Sequence, residues 1–187
     1  MSSNENISPS SRIQWVHESC QLLKITRQDF QQTQPFKGLT IGSAIHLEPK
    51  TAALILTLKA GGANVIATGN LNSTQPETVA YLQAHDIQMI GEQTQEASRH
   101  AGFLDEIVAA RPDILLDNGG DLFSRYADQP YPGLLGGTEE TTSGRMRLLP
   151  MRDRIQKPVL VINDSPIKQF AENEHAVGQS VFESFVR

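Results

Sequence analysis

Residues 39–68 read LTIGSAIHLEPKTAALILTLKAGGANVIAT, and the change of period inside this stretch decides the fold. LTIGSAI (39–45) is short, apolar and glycine-flanked, the pattern of a buried strand. KTAALILTLKAGG (50–62) runs apolar at helical spacing and stops at paired glycines, and NVIAT (64–68) is the next strand. Strand, helix, strand at this spacing means parallel pairing through a right-handed crossover. The alternation continues. A helix starting near Pro76 and Glu77 carries Val79, Ala80 and Leu82, strand IQMI (87–90) follows, and a helix over about 96–110 leads to strand DILLD (113–117). A last strand, PVLVIN (158–163), precedes helical segments that reach the C-terminus. The expected fold is α/β: a doubly wound, Rossmann-like, mostly parallel sheet with helices on both faces.

Upstream, Ile13, Val16, Cys20 and Leu23 recur at helical spacing and predict one or two helices up to about Gln34, with Pro35 marking the exit. Cys20, the only cysteine, reads as a small buried helix residue and rules out an intramolecular disulfide. Residues 1–11, rich in Ser and Asn, are expected to form a disordered tail, leaving 12–187 as one domain. The chain carries 16 basic against 21 acidic residues, a net charge of -5, with no basic run to track a phosphate backbone. That disfavours nucleic acid and anionic membrane surfaces as partners. No apolar stretch approaches the roughly 20 residues that span a bilayer, and the polar start lacks the apolar core of a secretory signal, so a cytoplasmic protein is expected. The five histidines show no HxH or HExxH spacing, and no metal site is predicted.

In a doubly wound sheet, ligands bind beyond the carboxyl ends of the strands. This singles out four polar loops: 45–48, 69–75, 117–121 and 163–168. Asp117, Asn118 and Asp121 can form a cluster in which crowding tunes one carboxyl for acid or base work, or Asp117 or Asp121 can cap the following helix. His46 suits general acid or base chemistry near neutral pH, and equally a satisfied structural role. In GGTEETTSG (136–144) the hydroxyls of Thr141, Thr142 and Ser143 can meet a phosphate or ribose, with Glu140 taking vicinal hydroxyls; the alternative is a helix start with hydroxyl capping. Lys168, Glu172 and Asn173 can share one helical face, as a site or as a surface ion pair.

Read in order, IQWVHESC, IGSAIHLEPKTAALILTLKAGGANV, GNLNSTQ, ILLDNGGDL, GGTEETTSG and VINDSPIKQFAEN resemble the N-terminal substrate-binding part of the adenosylhomocysteinase (S-adenosylhomocysteine hydrolase) family, from about Arg12 to the C-terminus. The family splits S-adenosylhomocysteine reversibly into adenosine and homocysteine, using a tightly held NAD that oxidises the ribose 3'-hydroxyl and so acidifies the C4' proton. The resemblance implies that Lys168 assists removal of the 3'-hydroxyl proton, that His46 acts in elimination and water addition, and that Glu140 holds ribose hydroxyls. It also implies that Thr141, Thr142, Ser143 and Asn173 reach the NAD of a second domain, supplied in cis or in trans, and that Asn70, Ser73, Thr74 and Gln75 lie near the substrate. A homo-oligomer fits the family as well.

Several positions depart from the family pattern. Asn118 stands where the family has the second acid of D-D-G-G-D, and an amide cannot accept and return a proton at neutral pH. Glu172 replaces an aspartate in the catalytic and substrate set of His46, Asn118, Lys168 and Glu172. Glu48 and Lys50 stand at the nucleoside end, where the family has a small hydroxyl residue and a polar one, and suggest an altered pocket or an ion pair. The family's NAD domain has no counterpart in these 187 residues, so the chain alone is expected to be inert. Three readings follow: the substrate half of such an enzyme, a catalytically degenerate nucleoside-binding or regulatory paralogue, or a paralogue for a different nucleoside thioether.

Overall fold

The computed structural model describes residues 9–186. Its centre is a six-stranded sheet, all parallel, in the order β3-β2-β1-β4-β5-β6. The strands are β1 (Thr40–Ala44), β2 (Asn64–Thr68), β3 (Gln88–Met89), β4 (Ile114–Asp117), β5 (Gly136–Glu139) and β6 (Val159–Val161). Helices α1 (Pro9–Ser19), α2 (Gln21–Thr33), α3 (Pro49–Ala60) and α4 (Pro76–Ala84) cover one face. The other carries α5 (Ala97–Ala109), α6 (Asp121–Asp128), α7 (Thr142–Leu148) and α8 (Arg152–Ile155). The α/β doubly wound architecture expected from residues 39–68 is the one found, with every strand pair parallel.

Each face has its own core. Ile41, Ile55, Leu82 and Ala67 pack on the α3 side, and Leu104, Ile107, Leu115, Leu122 and Phe123 on the α5–α6 side. The central strands β1, β2 and β4 are largely apolar because both of their faces are covered. α3 ends where expected, at Gly61 and Gly62, and Gly62 takes a φ of +89° that few side chains tolerate.

Four local expectations change. Cys20 lies between α1 and α2, half-buried, rather than inside a buried helix turn. The tail expected over 1–11 lies outside the described residues except for 9–11, which open α1. IQMI shrinks to a two-residue strand at the sheet edge. Finally, GGTE (136–139), where the sequence pattern predicts no strand, is β5, inserted between β4 and β6. Tertiary pairing makes this strand: a Cβ at Gly137 would overlap the Leu115 carbonyl oxygen, so the glycine that weakens local strand propensity is what lets the neighbouring backbone approach.

Strand order reverses between β1 and β4. The chain leaves β1 for α3 on one face and β4 for α6 on the other, and the crevice between these departures is where such folds bind ligands. Beyond β6 come a tight turn (Ile162–Asp164), a π-helical stretch (Lys168–Val177) and α9 (Gly178–Val186).

Candidate active site

His46 sits just past β1, exposed, with its carbonyl accepting the Thr51 hydroxyl at 2.5 Å. Its Nδ1 lies 2.6 Å from Ser73 Oγ, and Ser73 Oγ donates to the Asn70 carbonyl at 3.4 Å. In the tautomer with the proton on Nδ1, the Ser73 hydroxyl accepts from His46 and donates to Asn70, and His46 Nε2 keeps the free lone pair. In that tautomer Nε2 faces a ligand as an acceptor.

The loop after β4 is held by two buried carboxylates. Asp117 accepts the Asn118 and Phe123 backbone N–H groups, both at 2.9 Å, so it caps the start of α6 as one of the sequence alternatives had it. Burial pushes its carboxyl up to about 7; the backbone donors of Phe123 and Leu122 oppose the rise, and the charges of Glu139 and Asp121 add to it. Asp121 turns the other way, to Arg147 at 2.5 Å, so the three residues 117, 118 and 121 do not form a shared carboxylate cluster. Glu139, fully buried at the end of β5, accepts from Gly119 N (3.1 Å), Gly120 N (2.9 Å), Thr141 N and Thr141 Oγ1 (both 2.7 Å). It ties the β4 loop to the β5 loop. Gly144 is required beside it, since a Cβ there would overlap the carboxylate.

Asn118 bridges these loops to the next. Its Nδ2 donates to Glu140 Oε2 at 2.8 Å and its Oδ1 accepts Asn70 Nδ2 at 2.8 Å. Because a carboxylate only accepts, the amide has one possible orientation. A continuous chain of hydrogen bonds therefore runs from His46 through Ser73, Asn70 and Asn118 to Glu140.

On the far side Lys168 Nζ contacts Glu172 Oε1 at 3.0 Å, Asn163 Oδ1 at 3.3 Å and Asn173 Oδ1 at 3.4 Å. Buried Asn163 also accepts Asn173 Nδ2 at 3.0 Å and donates to Thr142 Oγ1 at 2.6 Å. Thr141 spends its hydroxyl inside the protein, on Glu139 and on the Gly144 N–H as the cap of α7, while Thr142 and Ser143 are exposed.

A cavity of about 470 Å³ opens at this point, walled by Ile45, Leu54, Leu58, Leu116 and Ile162. Of the residues singled out from the sequence, His46, Glu48, Lys50, Glu140, Lys168 and Glu172 all line it. Asn118 stands one hydrogen bond behind Glu140. Glu48 and Lys50 form the expected ion pair, at 3.2 Å and largely exposed, so it adds little stability. A second recess of about 440 Å³, against Asn72–Gln75, shares His46 and Glu48 with the first. An apolar floor with a convergent acid, imidazole and cation has the chemistry to hold a polar ring compound and exchange protons with it. Sequence reasoning did not foresee Glu139, Asn163 or the roles of Ser73 and Asn70, because each acts through other side chains rather than facing the cavity.

The model of the S-adenosyl-L-homocysteine hydrolase family matches residues 10–129. The chain is 37% identical over 181 residues to an S-inosyl-L-homocysteine hydrolase of Methanothermobacter thermautotrophicus, covering 94% of this chain and 43% of that protein. It is 38% identical over 177 residues to an adenosylhomocysteinase of Halobacterium salinarum (91% and 42% covered) and 35% identical over 190 residues to one of Thermococcus kodakarensis (97% and 45%). It thus spans less than half the length of these relatives. Among solved structures, the nucleotide-binding subdomain of the PpsC enoylreductase domain from Mycobacterium tuberculosis superposes with a TM-score of 0.50 at 15% identity, covering 88% of this chain and 94% of that one, a likeness of fold alone. With the family model covering most of the chain, this protein belongs to the S-adenosyl-L-homocysteine hydrolase family.

Proposed function

We propose that residues 12–187 form the substrate-binding domain of a nucleoside-thioether hydrolase, with the nucleoside of S-adenosylhomocysteine or a close analogue in the 470 Å³ cavity. The observation that carries this reading is the convergence of His46, Glu140 and Lys168 on one cavity at the strand-order reversal. Glu140, oriented by Asn118, accepts the ribose 2'- and 3'-hydroxyls. Lys168, held by Asn163 and Glu172, stabilises the 3'-oxygen as its proton leaves. His46, with Nε2 free, exchanges a proton at the carbon–sulfur end. The exposed Thr142, Ser143 and Asn173 at the rim fit the polar edge of a dinucleotide, whereas the Thr141 hydroxyl is already committed. NAD held there, mostly by another domain, would supply the hydride acceptor for the ribose. The working state is then an assembly, in the cytoplasm, of this domain with an NAD-binding one.

A second reading is favoured by the S-inosyl-L-homocysteine hydrolase among the relatives. Glu48 and Lys50 offer one acceptor and one donor at the cavity wall. Adenine presents a donor and an acceptor on its pairing edge, and hypoxanthine presents them in the opposite order, so one arrangement of this pair suits each base. Calorimetric titration with adenosine and with inosine separates the readings. Saturable binding of at least one, weakened in Glu140→Gln, supports the site, and the tighter nucleoside names the base. Binding of neither would remove the proposal.

A further inference from the structure

A second cavity, of about 500 Å³, lies between α1, α2 and α4, walled among others by His17, Lys24, Arg27, Tyr81 and His85. His85 follows α4 just before β3 begins, so this cavity opens near the amino ends of the strands, opposite the candidate active site. In a chain of net charge -5 it gathers two permanent cations and two histidines. Among the described residues neither Lys24 nor Arg27 has a carboxylate within ion-pair distance. The one acid of the wall, Glu18, accepts from Gln14 Nε2 at 3.1 Å.

Arg27 Nη1 lies 3.4 Å from His17 Nδ1, and a guanidinium only donates, so Nδ1 is the acceptor and Nε2 carries the proton. That Nε2 is buried with no hydrogen-bond partner. His85 stacks on Tyr81 with centroids 4.2 Å apart and donates from Nδ1 to the Tyr81 carbonyl at 2.7 Å, so its neutral ring keeps the lone pair on Nε2. Burial first, then the charges of Arg27 and His85, hold the His17 ring below its ordinary pKa. What the wall lacks is an acceptor of several hydrogen bonds carrying negative charge.

We propose that this cavity binds a phosphate group, free or as part of a nucleotide, between the Arg27 guanidinium and the Lys24 ammonium, with the His17 and His85 rings beside it. A tetrahedral oxyanion offers enough acceptors to meet both cations, and Arg27 can bind it through two nitrogens. The space beyond one phosphate, beside the Tyr81–His85 stack, suits a planar base.

The test follows histidine ring resonances by NMR while inorganic phosphate, and then adenosine 5'-monophosphate, is added at constant ionic strength. Saturable shifts of His17 and His85 at millimolar or lower concentration are expected, with affinity roughly tenfold weaker in Arg27→Gln for the loss of a charge-assisted contact. Lys24→Gln, an exposed change that leaves the fold intact, should weaken binding too. Tighter binding of the nucleotide than of phosphate identifies a nucleotide ligand; equal binding identifies free phosphate. Unphosphorylated adenosine should leave His17 unmoved. Shifts that never saturate, or that persist equally in both variants, would overturn the proposal.

Discussion

Asn118 donates its amide to Glu140 at 2.8 Å while its oxygen accepts from Asn70 at the same distance, so the side chain is occupied at both ends. Glu140 therefore faces the cavity with a neutral donor at its back where the family pattern has an acid. In Asn118→Asp that donor becomes a second carboxylate against the first. Stability should fall by about 1–3 kcal/mol at neutral pH, and the loss should shrink toward pH 4 as one of the pair takes up a proton. Urea unfolding at both pH values checks it. In an assembled, NAD-loaded enzyme the same variant should speed C4' proton exchange, and unchanged exchange would mean that another group, such as His46, is the base.

Glu139→Gln should cost about 2–3 kcal/mol, because one of two oxygens that accept the Gly119, Gly120 and Thr141 donors becomes an NH₂ group facing them. Gly144→Ala, which pushes on the same carboxylate from the other side, should mimic it. Amide hydrogen exchange at Gly119 and Gly120 is the direct readout; protection equal to the parent's in both variants would show that the carboxylate does not hold the loop.

The Asp117 carboxyl, raised by burial to about 7, makes stability pH-dependent in an unusual sense. Between the unfolded value near 3.8 and 7, the folded state holds a proton that the unfolded chain has lost. Stability from this group is therefore greatest at low pH and falls as pH rises through that window, by at most on the order of 4 kcal/mol. Asp117→Asn should remove this component, so the difference in unfolding free energy between variant and parent should shift in the variant's favour from pH 4.5 to 7.5. A constant difference would place the carboxyl's pKa near its ordinary value.

Ser73→Ala should leave stability within about 1 kcal/mol, since the bond it breaks is exposed. The tautomer of His46 should change nonetheless. Nitrogen-15 NMR of the ring should show the proton confined to Nδ1 in the parent and spread over both nitrogens in the variant.

The fold could be read from residues 39–68 because apolar period and glycine stops agree there with the final packing; β5 could not, because GGTE is a strand only by virtue of β4 and β6 on either side. The site divides in the same way. His46, Glu48, Lys50, Glu140, Lys168 and Glu172 announce themselves as charged side chains at strand ends, and they do line one cavity. Glu139 reads like its neighbour, yet it points inward, a distinction fixed by the strand alternation of an element that local sequence does not reveal. Asn163 and Asn70 carry no charge to mark them, and their work lies in whom they hold.

Asn118 is also followed by Gly119, the pairing in which an asparagine most readily closes onto the next backbone nitrogen, expels ammonia and hydrolyses to an acid. Ring closure needs that nitrogen free and the amide able to turn. Here Gly119 N is bound to Glu139, and the amide is tethered to Asn70 and Glu140. The network that shapes the site is thus expected to act as a preservative as well. Peptide mapping after prolonged storage should find position 118 intact in folded protein and progressively acidic in unfolded chain; equal conversion in both would deny that protection. Each molecule would then carry at 118 a chemical record of the time it has spent unfolded.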